Sequence, residues 1–308
     1  MIALDIDGTL VDDDLELGER TIAAIRTARD RGIRVSLMTG RMTRSAMRFA
    51  ERLGLTDPVV GYQGALARDM ATVPGRVGRL LRHRPLGPDV ARAAIRWSRA
   101  NGLDPHVSHL EQLVLPEDDP QVDDYSAFLG TRAIRAPSLE AWVTRPVTKV
   151  VAVGEPDRPL ALLPAARLAF AGRADVTVAH PRFLEFVASG VSKGQAIRWL
   201  ARRQGVPLGQ VLAIGDQLND VEMLAAVGHG TAMPHGPREV LLAARYVAPP
   251  LLDEGAAQVI ERIALAPQRL ARAASAELSA AAEAAVARGA ATEAPASRAG
   301  DAGRGGDR

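Results

Sequence analysis

Apolar and polar positions alternate in two rhythms along the first 65 residues of the chain. "MIAL" is a short apolar run that ends in the polar stretch "DIDGT" and reads as a buried strand entering a turn. "IRVSLM", followed by "TGR", and "PVVGYQGA" read as two further strands. Between them the period lengthens. "ERTIAAIRTARDRG" places Ile22, Ile25 and Ala28 on one helical face, with Gly32 at its end, and "TRSAMRFAERLG" is a second helix stopped by Gly54. Strand, helix, strand, helix, strand is the order of a parallel α/β sheet. The same rhythm returns late. "KGQAIRWLARRQG" is a helix with Ile197, Leu200 and Ala201 on one side, "QVLAI" a strand, "GDQLND" a polar loop and "DVEMLAAVG" a short helix. "RYVA" and "EGAAQVIERIA" supply a last strand and helix.

The middle of the chain differs in texture. "PDVARAAIRWSRANG" and "LALLPAARLAFAG" read as helices, "PHVSHLEQLVL" as a hairpin, and "VTKVVAV", "DVTVA" and "RFLEFV" as strands. The pattern predicts an α/β core discontinuous in sequence, residues 1–72 and 188–265, with an α+β domain, residues 73–187, inserted into it. Residues 266–308 are rich in Ala, Arg, Glu, Gly and Ser and are expected to be disordered or loosely helical. An almost all-alanine face buries little, so removing residues 267–308 is expected to change neither stability nor activity.

Composition narrows the classes of function. The 38 basic residues stand against 36 acidic ones with the signs interspersed, so no basic stripe marks a nucleic-acid surface. Only 4% of residues are aromatic, too few for base-stacking platforms. There are no cysteines, which excludes disulfides, thiolate nucleophiles and cysteine-ligated metal. No run approaches the roughly 18 apolar residues of a membrane span, and no basic-then-apolar leader opens the chain. A cytoplasmic protein is expected. The first strand has only four residues ahead of Asp5, so the natural start could lie upstream.

The polar turns carry the candidate chemistry. In "LDIDGTL", Asp5 and Asp7 flank one residue where an α/β sheet ends and ligands bind, and the following glycine permits a tight turn. Read alone, the pair could instead cap the next segment. "GDQLND" repeats the logic with Asp216, Asn219 and Asp220; alone it reads as a turn or a helix cap. If both strand ends face one site, their carboxylates converge. Two like charges about 4 Å apart cost roughly 4 kcal/mol at an effective dielectric of about 20, so the cluster needs a cation. Oxygen ligands without histidine or cysteine favour Mg²⁺. At "LMTGR", the Thr39 hydroxyl and the Gly40 backbone can hold an anionic oxygen. Lys193, in "GVSKG", and Lys149 are the only lysines in a chain that otherwise writes its basic residues as arginine.

These four pieces, in this order, resemble the haloacid dehalogenase superfamily of phosphohydrolases, and the insertion between the second and third resembles its Cof-type subfamily with a large α/β cap (type IIB). The resemblance runs to about residue 264. It implies a Rossmann-like core and Mg²⁺-dependent hydrolysis of a small phosphate monoester, such as a sugar phosphate or a phosphorylated cofactor. It also implies roles. Asp5 is the nucleophile that becomes an aspartyl-phosphate, and Asp7 is the general acid and then the general base. Asp5, the Asp7 backbone carbonyl and Asp216 hold the metal, supported by Asp220. Thr39, Gly40, Asn219 and Lys193 hold phosphate oxygens, with Lys193 bridging Asp5 and the phosphate. The alternatives are a phosphomutase or phosphotransferase using the same intermediate, or a phosphometabolite-binding protein without turnover; the intact Asp5, Asp7, Lys193 and Asp216 argue against the last. The partner is a small phosphate ester, with no nucleic acid and no membrane. The ester's identity and the oligomeric state are not encoded in these motifs.

Some positions depart from the family pattern. Gln63 stands in "YQGA" where Asn is usual, and Pro234 and His235 stand where a Gly-Asn pair is typical. Other polar residues read as structural. His106 and His109 fall on opposite faces of a hairpin rather than in a metal site, the acidic run "EDDPQVDDY" is a solvated loop, and Lys149 opens a strand of the insertion in a structural role.

Overall fold

The computed structural model describes residues 1–73, 76–119, 133–266 and 268–292. Three sheets organise them. The first is wholly parallel, in the order β14-β13-β12-β1-β2, with β1 (Ile2–Leu4), β2 (Val35–Leu37), β12 (Leu212–Gly215), β13 (His229–Ala232) and β14 (Tyr246–Val247). Every residue of β1, β2 and β12 is buried, as expected of strands covered on both faces. The helix Glu19–Asp30 buries Thr21, Ala24, Ile25 and Ala28, so its covered stripe lies slightly to one side of the expected face; Ile22 is only partly covered. The helix Lys193–Gln204 buries Ile197, Leu200 and Ala201 as its spacing predicts.

β1 lies between β12 and β2, with Leu4 opposite both Ile214 and Leu37. Segments more than 200 residues apart in sequence therefore end side by side, and the Asp5 N–H donates to the Ile214 carbonyl at 3.0 Å. This register delivers "DIDGT" and "GDQLND" to one edge of the sheet.

The second sheet has six strands in the order β10-β11-β9-β6-β7-β8: β6 (Asp104–His109), β7 (Gln112–Pro116), β8 (Ile134–Ala136), β9 (Lys149–Val153), β10 (Ala174–His180) and β11 (Phe183–Ala188). One face packs under the helices Pro88–Ala100 and Arg158–Ala169, where Trp97, Phe170 and Phe186 meet edge to face. Side chains alternate along each strand. Val150 and Ala152 enter that core, so Lys149, Val151 and Val153 point the other way, into a cavity against the parallel sheet. A small antiparallel sheet of β3 (Val59–Gly61), β4 (Leu66–Arg68) and β5 (Leu80–His83) lies between the two.

Side chains fasten the layers together. The turn between β6 and β7 presents Glu111 to the start of the helix Thr43–Arg52, which has no cap of its own. Glu111 accepts from the Thr43 hydroxyl, from the Arg44 N–H at 2.9 Å and from Arg68 Nε at 2.8 Å. Beside it the Tyr62 hydroxyl donates to the Leu110 carbonyl.

The alanine-rich tail is helical over much of its length, one of the two states its composition allows, but it buries more than its alanine face implies. Gln268–Thr292 forms a helix that buries Leu278 and Ala282 against the parallel-sheet core, and Tyr246 donates to Ser275 at 3.3 Å. An alanine face allows the helix axis to approach closely, so one leucine reaches a pocket that composition does not reveal. Residues 293–308 and most of the acidic run "EDDPQVDDY" lie outside the described residues. Among the described residues no helix is long and apolar enough to cross a membrane.

Candidate active site

Asp5, Asp216 and Asp220 are all buried, and each offers an oxygen within 4.8 Å of the others. Lys193 enters the cluster from the first turn of its helix, where Ser192 accepts from Gln195 N as the N-cap. Its Nζ lies 2.8 Å from Asp5 Oδ1 and 2.7 Å from Asp220 Oδ1, and its side chain is fully covered. The lysine predicted to bridge Asp5 and a phosphate thus also ties Asp5 to Asp220. Asp220 Oδ2 accepts the N–H groups of Asp216 and Gln217, both at 3.1 Å, which fixes the loop that carries Asp216.

The turn after β1 is shaped around Asp216. Gly8 has φ +73°, and a Cβ there would fall 2.2 Å from Asp216 Oδ2, so a glycine is required on two counts. Thr9 adds a hydroxyl donor to Asp216 Oδ1 at 3.2 Å.

The electrostatics of the cluster suit a cation. Burial, only partly offset by Lys193, pushes the Asp5 carboxyl well above the usual carboxylate range, and the neighbouring Asp220 and Asp216 push the same way. Burial raises Asp220 as well. Lys193 resists its own burial because Asp220 and Asp5 hold it charged, well above the ordinary lysine value. Three carboxylates against one ammonium leave a negative charge that a low-dielectric site cannot hold alone. An all-oxygen donor set of this kind fits a hard divalent cation.

Asp7 is separate from this cluster. Its side chain is half exposed at the wall of a cavity of about 590 Å³ and meets Arg41 two-on-two, Nε to Oδ2 at 2.8 Å and Nη2 to Oδ1. Gly40 lines the same cavity, while the Thr39 hydroxyl, buried beside it, accepts from the Arg41 N–H at 3.1 Å. Asn219 also lines the cavity, with its Nδ2 donating to Gln63 Oε1 at 2.8 Å. All the residues singled out in the sequence therefore gather at one edge of the parallel sheet, though not as one cluster. His235 joins them, 3.5 Å from Asp216 Oδ2, and its hydrogen bond to Asp216 pushes the imidazole up.

The six-stranded sheet forms the opposite wall with Val151, Val153, Leu113 and Phe183, and with two charged residues that sequence reasoning did not place here, Lys149 and Glu185. Lys149 reads as structural because an apolar strand does not disclose which face its helices cover. Its signal was nonetheless available: it is the other lysine in an arginine-writing chain. His106 and His109 turn to different partners. His106 pairs with Asp119 at 3.0 Å, and His109 contacts the Pro146 carbonyl.

The chain is similar to known proteins over most of its length. HMP-PP phosphatase of Cronobacter sakazakii is 27% identical over 241 residues, covering 78% of this chain and 85% of that protein. The 5-amino-6-(5-phospho-D-ribitylamino)uracil phosphatase YitU of Bacillus subtilis is 28% identical over 244 residues, covering 77% and 87%. The crystal structure of a haloacid dehalogenase-like hydrolase from Bacteroides thetaiotaomicron superposes with a TM-score of 0.72 at 26% identity, covering 85% of this chain and 98% of that one. The sugar phosphatase BT4131, of subclass IIB, shares the fold with a TM-score of 0.72 at 21% identity. The family profile of haloacid dehalogenase-like hydrolases matches residues 2–260, and the chain belongs to that family.

Proposed function

We propose that the protein is a Mg²⁺-dependent phosphatase that hydrolyses a small phosphate monoester through an aspartyl-phosphate on Asp5. The observation that carries this reading is the buried Asp5 carboxylate, held at 2.8 Å by Lys193 at the bottom of a cavity large enough for a small metabolite. In this reading residues 1–72 and 188–265 act as the catalytic core and residues 73–187 as the cap that selects the leaving group, in a cytoplasmic enzyme.

Asp5 attacks the phosphorus. The bond from phosphorus to the ester oxygen breaks, and Asp7 gives its proton to the departing alkoxide. Water then attacks the phosphoryl group, Asp7 takes a proton from it, and the bond from phosphorus to Asp5 breaks to release phosphate and restore the carboxylate. The two-point contact with Arg41 holds Asp7 at the cavity wall. Lys193, Thr39, the Gly40 backbone and Asn219 hold the phosphoryl oxygens, since phosphoryl transfer depends on alignment and charge neutralisation more than on bond polarisation. Asp5, the Asp7 carbonyl and Asp216 would hold Mg²⁺, with Asp220 in support. When bound, the ion neutralises the carboxylate cluster and the charge on the phosphoryl oxygens. Val151, Val153, Leu113 and Phe183 keep water away from the first step. The substrate class is a sugar phosphate or a phosphorylated cofactor; the similar proteins include a sugar phosphatase and phosphatases of other small phosphorylated metabolites.

Phosphate release from an aryl phosphate tests the reading. Wild-type protein with Mg²⁺ is expected to turn over, and chelation or Asp5→Asn to abolish turnover with the melting temperature retained. Near-wild-type activity in the Asn variant would remove Asp5 from the mechanism.

A further inference from the structure

Lys149 and Glu185 form an ion pair on the cavity side of the six-stranded sheet, Nζ to Oε1 at 2.6 Å, with side chains 7% and 4% exposed. Two arms run from this pair into the parallel-sheet layer. In the first, Lys149 Nζ donates to the Gly40 carbonyl at 3.0 Å. That carbonyl shares its peptide with the Arg41 N–H, which donates to the Thr39 hydroxyl oxygen at 3.1 Å. In the second, Glu185 Oε2 accepts from Gln63 Nε2 at 2.5 Å, and Gln63 Oε1 accepts from Asn219 Nδ2 at 2.8 Å. One arm ends on Thr39 and the other on Asn219.

We infer that Lys149 and Glu185 are positioning residues: docked against the core, they orient the Thr39 hydroxyl and the Asn219 amide toward the phosphoryl oxygens. The phosphate-holding site is then complete only while the six-stranded sheet is docked. This rests on the phosphatase reading above.

Several features set the pair apart from a packing device. Ser108, opposite Lys149, and His106 share that face with the apolar Val151, Val153 and Leu113, and an apolar pair would pack among these without the cost of removing two charges from water. The link to Asn219 needs the length of Gln63, because an asparagine is one methylene shorter and would not span from Asn219 to Glu185. It also needs an uncommon backbone: Tyr62 and Gln63 have φ of +53° and +58°, a left-handed conformation that non-glycine residues adopt only at a cost. Gly40 makes room for the same side chain, since a Cβ there would lie 2.4 Å from Gln63 Nε2. A hydrogen-bonded chain of this kind also polarises its members, so the charge on Lys149 strengthens the Arg41 N–H as a donor to Thr39.

The experiment separates positioning from leaving-group recognition by using probes too small to touch the six-stranded sheet. Lys149→Met, Glu185→Gln, Gln63→Asn and the double variant K149M/E185Q are compared with wild type. The dissociation constant for inorganic phosphate is measured calorimetrically with Mg²⁺, and kcat and KM are measured with acetyl phosphate. Each variant is expected to bind phosphate more weakly and to lose about tenfold or more in kcat on acetyl phosphate, as small misplacements of reacting groups do. Lys149→Met and Glu185→Gln, the two halves of one ion pair, are expected to be non-additive in the double variant. The double variant carries no unpaired buried charge, so it keeps the test valid if a single variant fails to fold. Wild-type phosphate affinity and acetyl phosphate turnover in the folded variants, with losses confined to bulky substrates, would overturn the inference and leave the phosphatase reading intact. A wild type that binds phosphate without turnover would overturn that reading, while the phosphate affinities of the variants would still decide the role of the pair. A wild type that binds no phosphate would overturn both.

Discussion

Lys193 shows what a single side chain decides. Its Nζ sits between Asp5 Oδ1 and Asp220 Oδ1, at 2.8 and 2.7 Å, in a site with no exposed surface at that residue. An ammonium is compact enough for that gap, whereas a planar guanidinium with the same charge would displace one carboxylate. Lys193→Arg is therefore expected to lower kcat by about 10²-fold with the fold intact, as a misplacement of ~1 Å does. Steady-state phosphate release checks this, and a rate within a factor of about two of wild type would assign the lysine to packing. The same residue shows how far sequence reaches at this scale. Asp5, Asp216, Asp220 and Lys193 stood out in the sequence as charges at the ends of apolar strands or at a helix start, and the structure buries them together, whereas Asp7, singled out with them, is half exposed. Arg41 was quoted in "TGR" without a role, and Thr9 in "DIDGT" likewise; both are polar residues beside a turn, where many roles are compatible with the sequence. Lys149 carried the same rarity signal as Lys193, but its position in an apolar strand hid it.

At the scale of elements, periodicity placed the strands and helices but not their covered faces. "KVVAV" is apolar on both sides, so only the packing of the helices Pro88–Ala100 and Arg158–Ala169 reveals that Lys149, Val151 and Val153 face the cavity. The hairpin read from "PHVSHLEQLVL" forms with Val107 opposite Val114. Its turn has a use that the sequence does not announce: Glu111 caps a helix from a different layer. The carboxylate meets the helix N-terminus, where unpaired N–H groups and the dipole favour a negative charge. Glu111→Gln keeps the shape and removes the charge from both the helix end and Arg68. It is expected to cost about 1–3 kcal/mol, the range for weakening a buried charged hydrogen bond, read from the midpoint of urea unfolding. An unchanged midpoint would mean that the contact contributes no stability.

At the scale of the whole molecule, the order of strands in the parallel sheet follows from long-range pairing, which no local pattern contains. β1 and β12 meet through the register of Leu4 with Ile214, and that pairing turns two ordinary acidic loops into one site. The tail is the clearest divergence between sequence and structure. With Leu278 and Ala282 buried against the core, deletion of residues 267–308 is expected to lower stability by about 2 kcal/mol, the value of one buried leucine. A thermal melt of the truncated protein checks this, and an unchanged Tm would return the tail to the loosely attached segment that its composition implies. Acid is expected to destabilise the fold as well. Burial holds His83, His109, His180 and His229 below the ordinary histidine value of 6.5. Below that value the unfolded chain takes up protons that these sites refuse, so stability is full above it and falls as the pH drops through it. His235 and the carboxyls of Asp5 and Asp220, all pushed up, work in the opposite direction and reduce the decline that the four histidines produce. Melting temperatures measured from about pH 7.5 to about pH 5.5 should decline, and a rise would reverse the assignment.

The central claim is that Asp5 carries the phosphoryl group, and it is most directly tested by trapping. Wild-type protein turning over an aryl phosphate with Mg²⁺ is quenched and treated with hydroxylamine, which converts an aspartyl-phosphate to a hydroxamate, and its peptides are read by mass spectrometry. The account predicts the hydroxamate at Asp5, dependent on substrate and absent when Mg²⁺ is withheld. Turnover with the mark at another carboxylate, or with no mark on the protein at all, would contradict it.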